Sequence, residues 1–153
     1  MLKKITFLLL LFLSSCGYEA INSKKNIKYY EFSLSKLVFD GEREINLRLK
    51  EKLNRYTLDT KDKNFLLEIS STSQKIILAK DTSGDATSFQ KIIIVNVEVL
   101  ENNQFKNSFV LSEKFNYSNE DNKFDLKKYE KEITKNLSDI TAEKLIFKLS
   151  NIQ

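Results

Sequence analysis

Phe89-Gln90-Lys91-Ile92-Ile93-Ile94-Val95-Asn96-Val97-Glu98-Val99-Leu100 is the stretch on which the fold turns. It is rich in β-branched residues, and Ile93, Val95, Val97 and Val99 share one face at the period-2 spacing of a strand. The other face opens with Ile92 and Ile94 and turns polar at Asn96 and Glu98, so the sheet has one better apolar face. Upstream, residues 80–88 have turn composition centred on Gly84. Ahead of that turn Phe65, Leu67 and Ile69 alternate with Glu68 and Ser70, and the run continues through Ile76 to Leu78. Downstream, Asn102-Asn103 offers a tight turn, because asparagine tolerates left-handed conformations. A last strand then sets Phe109, Leu111, Phe115 and Tyr117 against Ser112, Lys114 and Asn116.

Helical spacing appears on both sides of these three strands. Ile45, Leu49, Leu53 and Tyr56 recur at 4, 4 and 3, with Asp40 as candidate cap and Glu42 and Glu44 where the helix dipole favours acid. After Asp125 the apolar positions Leu126, Tyr129, Ile133, Leu137, Ile140, Leu145 and Leu149 predict a closing helix. A first strand is expected over Tyr29 to Val38, with Tyr30, Phe32 and Leu34 on one face and Asp40-Gly41 breaking the pattern. The predicted order is β-α-β-β-β-α. Single-stripe helices and a sheet with one apolar face pack as an α+β two-layer sandwich, two helices on one face of a four-stranded mixed sheet.

The first fifteen residues are of another kind. Lys3 and Lys4 precede an apolar run from Ile5 to Leu13, too short to remain as a spanning helix. Leu13-Ser14-Ser15-Cys16 follows, and this resembles the lipobox of bacterial lipoproteins, where a thiolate takes the lipid and small residues admit the peptidase. The expected organisation is a signal peptide over residues 1–15, a lipidated N-terminus and tether over residues 16–28, and the α+β domain over residues 29–153. Cys16 is the expected lipidation site, with several acyl chains giving a stable anchor. Gly17, in place of an inner-membrane retention aspartate, points to the outer membrane.

Composition narrows the function classes. The 153 residues suit one domain, and 41% hydrophobic with 30% charged residues is a globular balance. Lys3 and Lys4 removed from 25 basic residues leaves 23 against 21 acidic, a net charge of +2, too even for a nucleic-acid binder. The chain has no histidine and one cysteine, which removes the commonest general base, the commonest metal ligand and any internal disulfide. No phosphate loop, nucleophile elbow or metal-ligand spacing stands in their place. No enzyme activity, catalytic residue, cofactor or metal is expected. Asp81 and Asp85 read as turn residues.

Taken with the lipobox and the element order, several strings resemble the LptE family of lipopolysaccharide-assembly lipoproteins. They are Cys16-Gly17-Tyr18, Ile77-Leu78-Ala79-Lys80-Asp81-Thr82, Gly84, Phe89-Gln90, Val95-Asn96-Val97-Glu98-Val99-Leu100 and the closing Ala142-Glu143-Lys144-Leu145-Ile146-Phe147-Lys148-Leu149. The resemblance spans essentially the whole chain. It implies a lipid-anchored protein on the periplasmic side of the outer membrane. Such a protein forms a 1:1 complex with the barrel LptD, plugs it, assists its assembly and contacts lipopolysaccharide on its way to the cell surface. Ser83, Gly84 and Phe89 would then belong to the partner-contact hairpin loop. Many members carry a basic residue ahead of the loop glycine, but Ser83 stands there in this chain, so a cationic contribution falls to Lys75, Lys80 or Lys91. As plain sequence, such lysines equally read as solvation of edge strands.

The competing reading is a ligand-binding accessory lipoprotein of an envelope transport system. It requires a lipid or small-molecule pocket between helices and sheet. An envelope-structural lipoprotein without a ligand is a third possibility.

Overall fold

A computed structural model describes residues 31–152. The leader, Cys16, the tether and the expected start of the first strand at Tyr29 and Tyr30 lie outside the described residues. The elements are β1 (Phe32–Gly41), α1 (Arg43–Leu53), a 3-10 turn (Asn54–Tyr56), β2 (Lys63–Lys80), β3 (Ala86–Glu101), β4 (Gln104–Ser118) and α2 (Lys123–Ser150). The sheet order is β1-β2-β3-β4, with β1 parallel to β2 and the remaining pairs antiparallel. This is the four-stranded mixed sheet with two helices on one face, in the order β-α-β-β-β-α.

The core lies between the layers. Phe65, Leu67, Ile69, Ile93, Val95, Val97, Val99 and Leu111 come from the sheet; Ile45, Leu49, Leu53, Ile133, Leu137, Leu145 and Leu149 come from the helices. The face of β3 read from the sequence is thus the buried one. Asn102 and Asn103 both take positive φ, 53° and 61°, which is the two-residue hairpin turn whose twist suits the flanking strands.

Three local expectations change. The first strand runs on to Gly41 in place of ending at Val38, so Asp40 and Gly41 belong to the strand. Its alternation slips at a bulge between Leu34 and Lys36, which sets Leu37 opposite Leu67 and Phe39 opposite Ile69. Helix α1 is not capped by Asp40: its cap is Glu42, without a side-chain bond, and Asn46 Nδ2 reaches back to the Asp40 carbonyl at 2.9 Å. In α2, Tyr129 and Ile140 face outward at 41% and 42% exposure. The buried face there includes Thr134, Ser138 and Thr141, whose hydroxyls bond the carbonyls of Glu130, Thr134 and Leu137 one turn back. Small residues that satisfy themselves on their own helix fill positions where a search for large apolar residues finds nothing.

The junction between β1 and α1 is tight. Gly41 has φ +89°, and a Cβ there would lie 2.0 Å from the Ser71 carbonyl oxygen. That same oxygen accepts from Glu42 N at 3.1 Å, and Ser71 Oγ donates to Asn46 Oδ1 at 2.8 Å. The chain leaves the sheet here because glycine alone permits both the backbone angle and the approach. Helix α1 then runs back toward the start of β2, packed against β1 and α2. Arg48 locks α1 to α2, donating from Nε and Nη2 to both Asp139 oxygens at 2.6 and 2.8 Å.

Candidate functional site

The end of the sheet formed by the β2–β3 hairpin and the close of β4 carries every residue singled out from the sequence except Cys16. Asp81 organises the loop. Its Oδ1 accepts from the backbone of Ser83 and Asp85, both at 2.9 Å, and its own N–H donates to the Asp85 carbonyl at 2.9 Å. Gly84 sits at φ +88°, with nothing within 4 Å of where a Cβ would be. Asn119 staples the base of the hairpin through Thr87 and Ala86. The loop is a preformed turn that presents Ser83 and Gly84 to solvent, and Asp81 acts as its turn residue.

Behind the loop, on the helix-facing side, lies a clasp. Lys75 Nζ is 2.5 Å from Glu130 Oε1 on α2 and 3.8 Å from the centroid of the Phe89 ring. The Tyr117 hydroxyl donates to the same Glu130 oxygen at 2.7 Å, and the Phe89 and Tyr117 rings lie 5.6 Å apart. Burial acts to raise the Glu130 pKa. The hydrogen bonds from Lys75 and Tyr117, with the charges of Lys75 and Lys91, outweigh it and hold the carboxyl below its usual value. Burial first, and then the bond to Glu130, push the Tyr117 hydroxyl far above the usual tyrosine range.

The three candidate lysines therefore have different surroundings. Lys75 is paired with a carboxylate and covers an aromatic ring. Lys91 lies directly across from it in the β2–β3 register, half-buried. Lys80 is exposed at the end of β2. Phe89 belongs to the core at 8% exposure, so Ser83 and Gly84 are the members of the proposed contact loop that offer surface.

One feature of this region was not singled out from the sequence. Strand β1 ends opposite Ser71, so among the described residues no strand pairs with β2 on that side from Thr72 to Lys80. Ile76, Ile77 and Leu78 are 42%, 49% and 47% exposed there. The signal was present: three consecutive apolar residues break the alternation that marks a strand with one solvated face.

Elsewhere, the space between helices and sheet is filled by side chains, with Phe65, Leu67, Ile93, Val95 and Leu145 fully buried. A concavity of about 670 Å³ opens on the surface between α1 and α2, lined by Leu47 and by charged residues of both signs. Among the described residues, no three His, Cys, Asp or Glu side chains gather to hold a metal ion, and no helix is long and apolar enough to cross a membrane.

The architecture defines a class: a small α+β sandwich whose parallel β1–β2 pair is joined by α1 and extended by a long antiparallel hairpin. Solved structures of bacterial lipoproteins have the same fold. Rare lipoprotein B from Shewanella oneidensis is similar at a TM-score of 0.56 and 13% identity, over 76% of this chain and 97% of that one. A minor lipoprotein from Acinetobacter baumannii gives 0.60 and 14%, over 79% and 91%. An uncharacterized lipoprotein B from Nitrosomonas europaea gives 0.52 and 16%, over 79% and 86%. No family model and no curated protein matches the sequence.

Proposed function

We propose that this chain is an outer-membrane lipoprotein, anchored through Cys16 on the periplasmic side. It plugs and partners the LptD barrel one-to-one, assisting barrel assembly and the delivery of lipopolysaccharide to the cell surface. The observation that carries the reading is the distal half of β2, where apolar residues stand exposed beside a rigid loop on a fold shared with bacterial lipoproteins. Large apolar side chains left exposed on both faces of an unpaired strand end form a surface that a partner chain can cover. The lipobox at Cys16 and the LptE-like hairpin strings support the same assignment.

The accessory ligand-binding reading asks for a pocket between the layers, and that space is occupied by core side chains. The two readings separate in a pull-down through the full-length lipoprotein from detergent-solubilised envelopes. The expected result is a large β-barrel in about equal amount. Recovery of soluble periplasmic proteins alone, or of a transporter with bound lipid, rejects the barrel partnership. Mass spectrometry of the same material reads the anchor: a diacylglyceryl-modified, cleaved Cys16 is expected, and an uncut thiol precursor rejects it.

A further inference from the structure

Strand β2 is an interior strand for its first half and an edge strand for its second. The side on which its backbone groups point can be followed along it. The carbonyls of Lys63 and Phe65 accept from Ser33 and Ser35 of β1, and that of Ser71 accepts from Glu42 N. Odd-numbered residues of β2 therefore aim their N–H and C=O groups into the lane of β1. Beyond Gly41 that lane is empty among the described residues, and Ser73, Lys75 and Ile77 keep the same alternation up to the register shift after Ile77.

We propose that this open edge, Ser73 to Ile77, is a strand-addition site that takes an extended segment of the barrel partner; the inference rests on the partnership proposed above. Three features select that occupant. The groups on offer are backbone donors and acceptors in strand register, which an extended chain satisfies and a helix or lipid does not. Ile76 points to the open face of the sheet and Ile77 to the helix face, so only a chain lying along the edge covers the flanks of both. The usual protection is missing as well. Lysine guards an edge by standing free in water, but Lys75 is drawn inward to Glu130 and Phe89. At the opposite edge, β4 carries the exposed Lys114. The incoming segment is about five residues long, apolar where it flanks Ile76 and Ile77 and free of basic residues at the end beside the exposed Lys80. A closed barrel has no edge of its own to give, so the segment is a loop or terminus of that protein.

The test is amide hydrogen exchange on the full-length lipoprotein, alone and in the complex with the barrel recovered by pull-down and identified by mass spectrometry. The amides of Ser73, Lys75 and Ile77 are expected to exchange freely in the protein alone and at least about tenfold more slowly in the complex. Ser73→Pro and Ile77→Pro remove edge N–H groups without touching the β3 ladder, so the fold should persist. Each should lower barrel recovery about tenfold, as the loss of one backbone bond and the obstruction of its neighbours predict. Should either variant fail to fold, the exchange measurement on the native chain decides alone. A barrel recovered in equal amount with these amides still exchanging freely overturns the edge assignment and leaves the partnership standing. Protection in the isolated protein with a doubled mass overturns it in favour of self-pairing, and recovery of no barrel removes both proposals together.

Discussion

Gly41 and Gly84 make a matched pair, because both hold nearly the same left-handed backbone, φ +89° and +88°, in opposite surroundings. Replacing either with alanine imposes the conformational cost of a side chain at positive φ, about 1 kcal/mol, partly offset by a stiffer unfolded chain worth about 0.5 kcal/mol. At Gly84 nothing lies within 4 Å of the new Cβ, so the cost ends there. At Gly41 the new Cβ would sit 2.0 Å from the Ser71 carbonyl oxygen and 3.0 Å from its carbon. Both atoms are backbone, so the contact can relax only by pulling β1 from β2. That motion breaks the 3.1 Å bond from Glu42 N to Ser71 O and loosens the Ser71–Asn46 bond. Two hydrogen bonds at about 1 kcal/mol each, added to the strain, give a loss of about 2–3 kcal/mol. For a domain of this size that lowers the thermal midpoint by roughly 8–15 °C, against about 2–4 °C for Gly84→Ala. Thermal unfolding followed by circular dichroism on both variants measures the difference. Equal shifts would refute the argument, since they would mean that the Gly41 junction has room the distances deny.

Other perturbations read the clasp and the helix lock. Glu130 has its pKa held below the usual 4.5, so its stabilisation is complete above that value and is lost as pH falls through the lower folded value. Glu130→Gln should therefore flatten the acid limb of a stability–pH curve, and an unchanged limb would show that Lys75 and Tyr117 do not act through this carboxylate. Tyr117 is displaced the other way: its contribution is present below pH 10 and fades as pH rises beyond it, so Tyr117→Phe should remove an alkaline loss seen in denaturant titrations. Arg48→Lys replaces a two-pronged contact to Asp139 by a point charge and should cost about 1 kcal/mol in urea unfolding, a modest figure because both side chains are partly exposed.

The architecture was legible because its two periodicities are clean where packing is one-sided. Ile93 to Val99 alternate on β3, and Ile45, Leu49 and Leu53 recur on α1; in each case the apolar set is the buried set. The reading blurred where a position is decided by something other than side-chain size. The bulge at Ser35 is invisible to alternation, because the extra residue belongs to backbone geometry. Thr134, Ser138 and Thr141 look like surface residues until their hydroxyls are seen bonded to the helix that carries them. Within the candidate site, sequence placed Lys75, Lys80 and Lys91 together near the loop. It could not separate them, since pairing with Glu130 depends on where α2, some 55 residues later, crosses the sheet.

That separation bears on what the hairpin end is suited to meet. A cluster of three free lysines favours an anion such as a phosphate-bearing glycolipid. Here Lys75 is exposed but paired with Glu130, and Lys91 is half-buried, so with Lys80 they do not make a cluster of three free cations. The clasp draws positive charge into the molecule at the place where the β2 backbone and the side chains of Ile76, Ile77 and Leu78 are most open. Surfaces of that composition gain more from hydrogen-bonded and apolar contact with another chain than from ion pairing. Breaking the clasp should then act on partner binding in a direction that simple charge counting gets wrong. Glu130→Gln frees a lysine and raises the local positive charge, which would strengthen an anion site. If the edge takes a strand, the freed Lys75 instead guards it, and barrel recovery should fall.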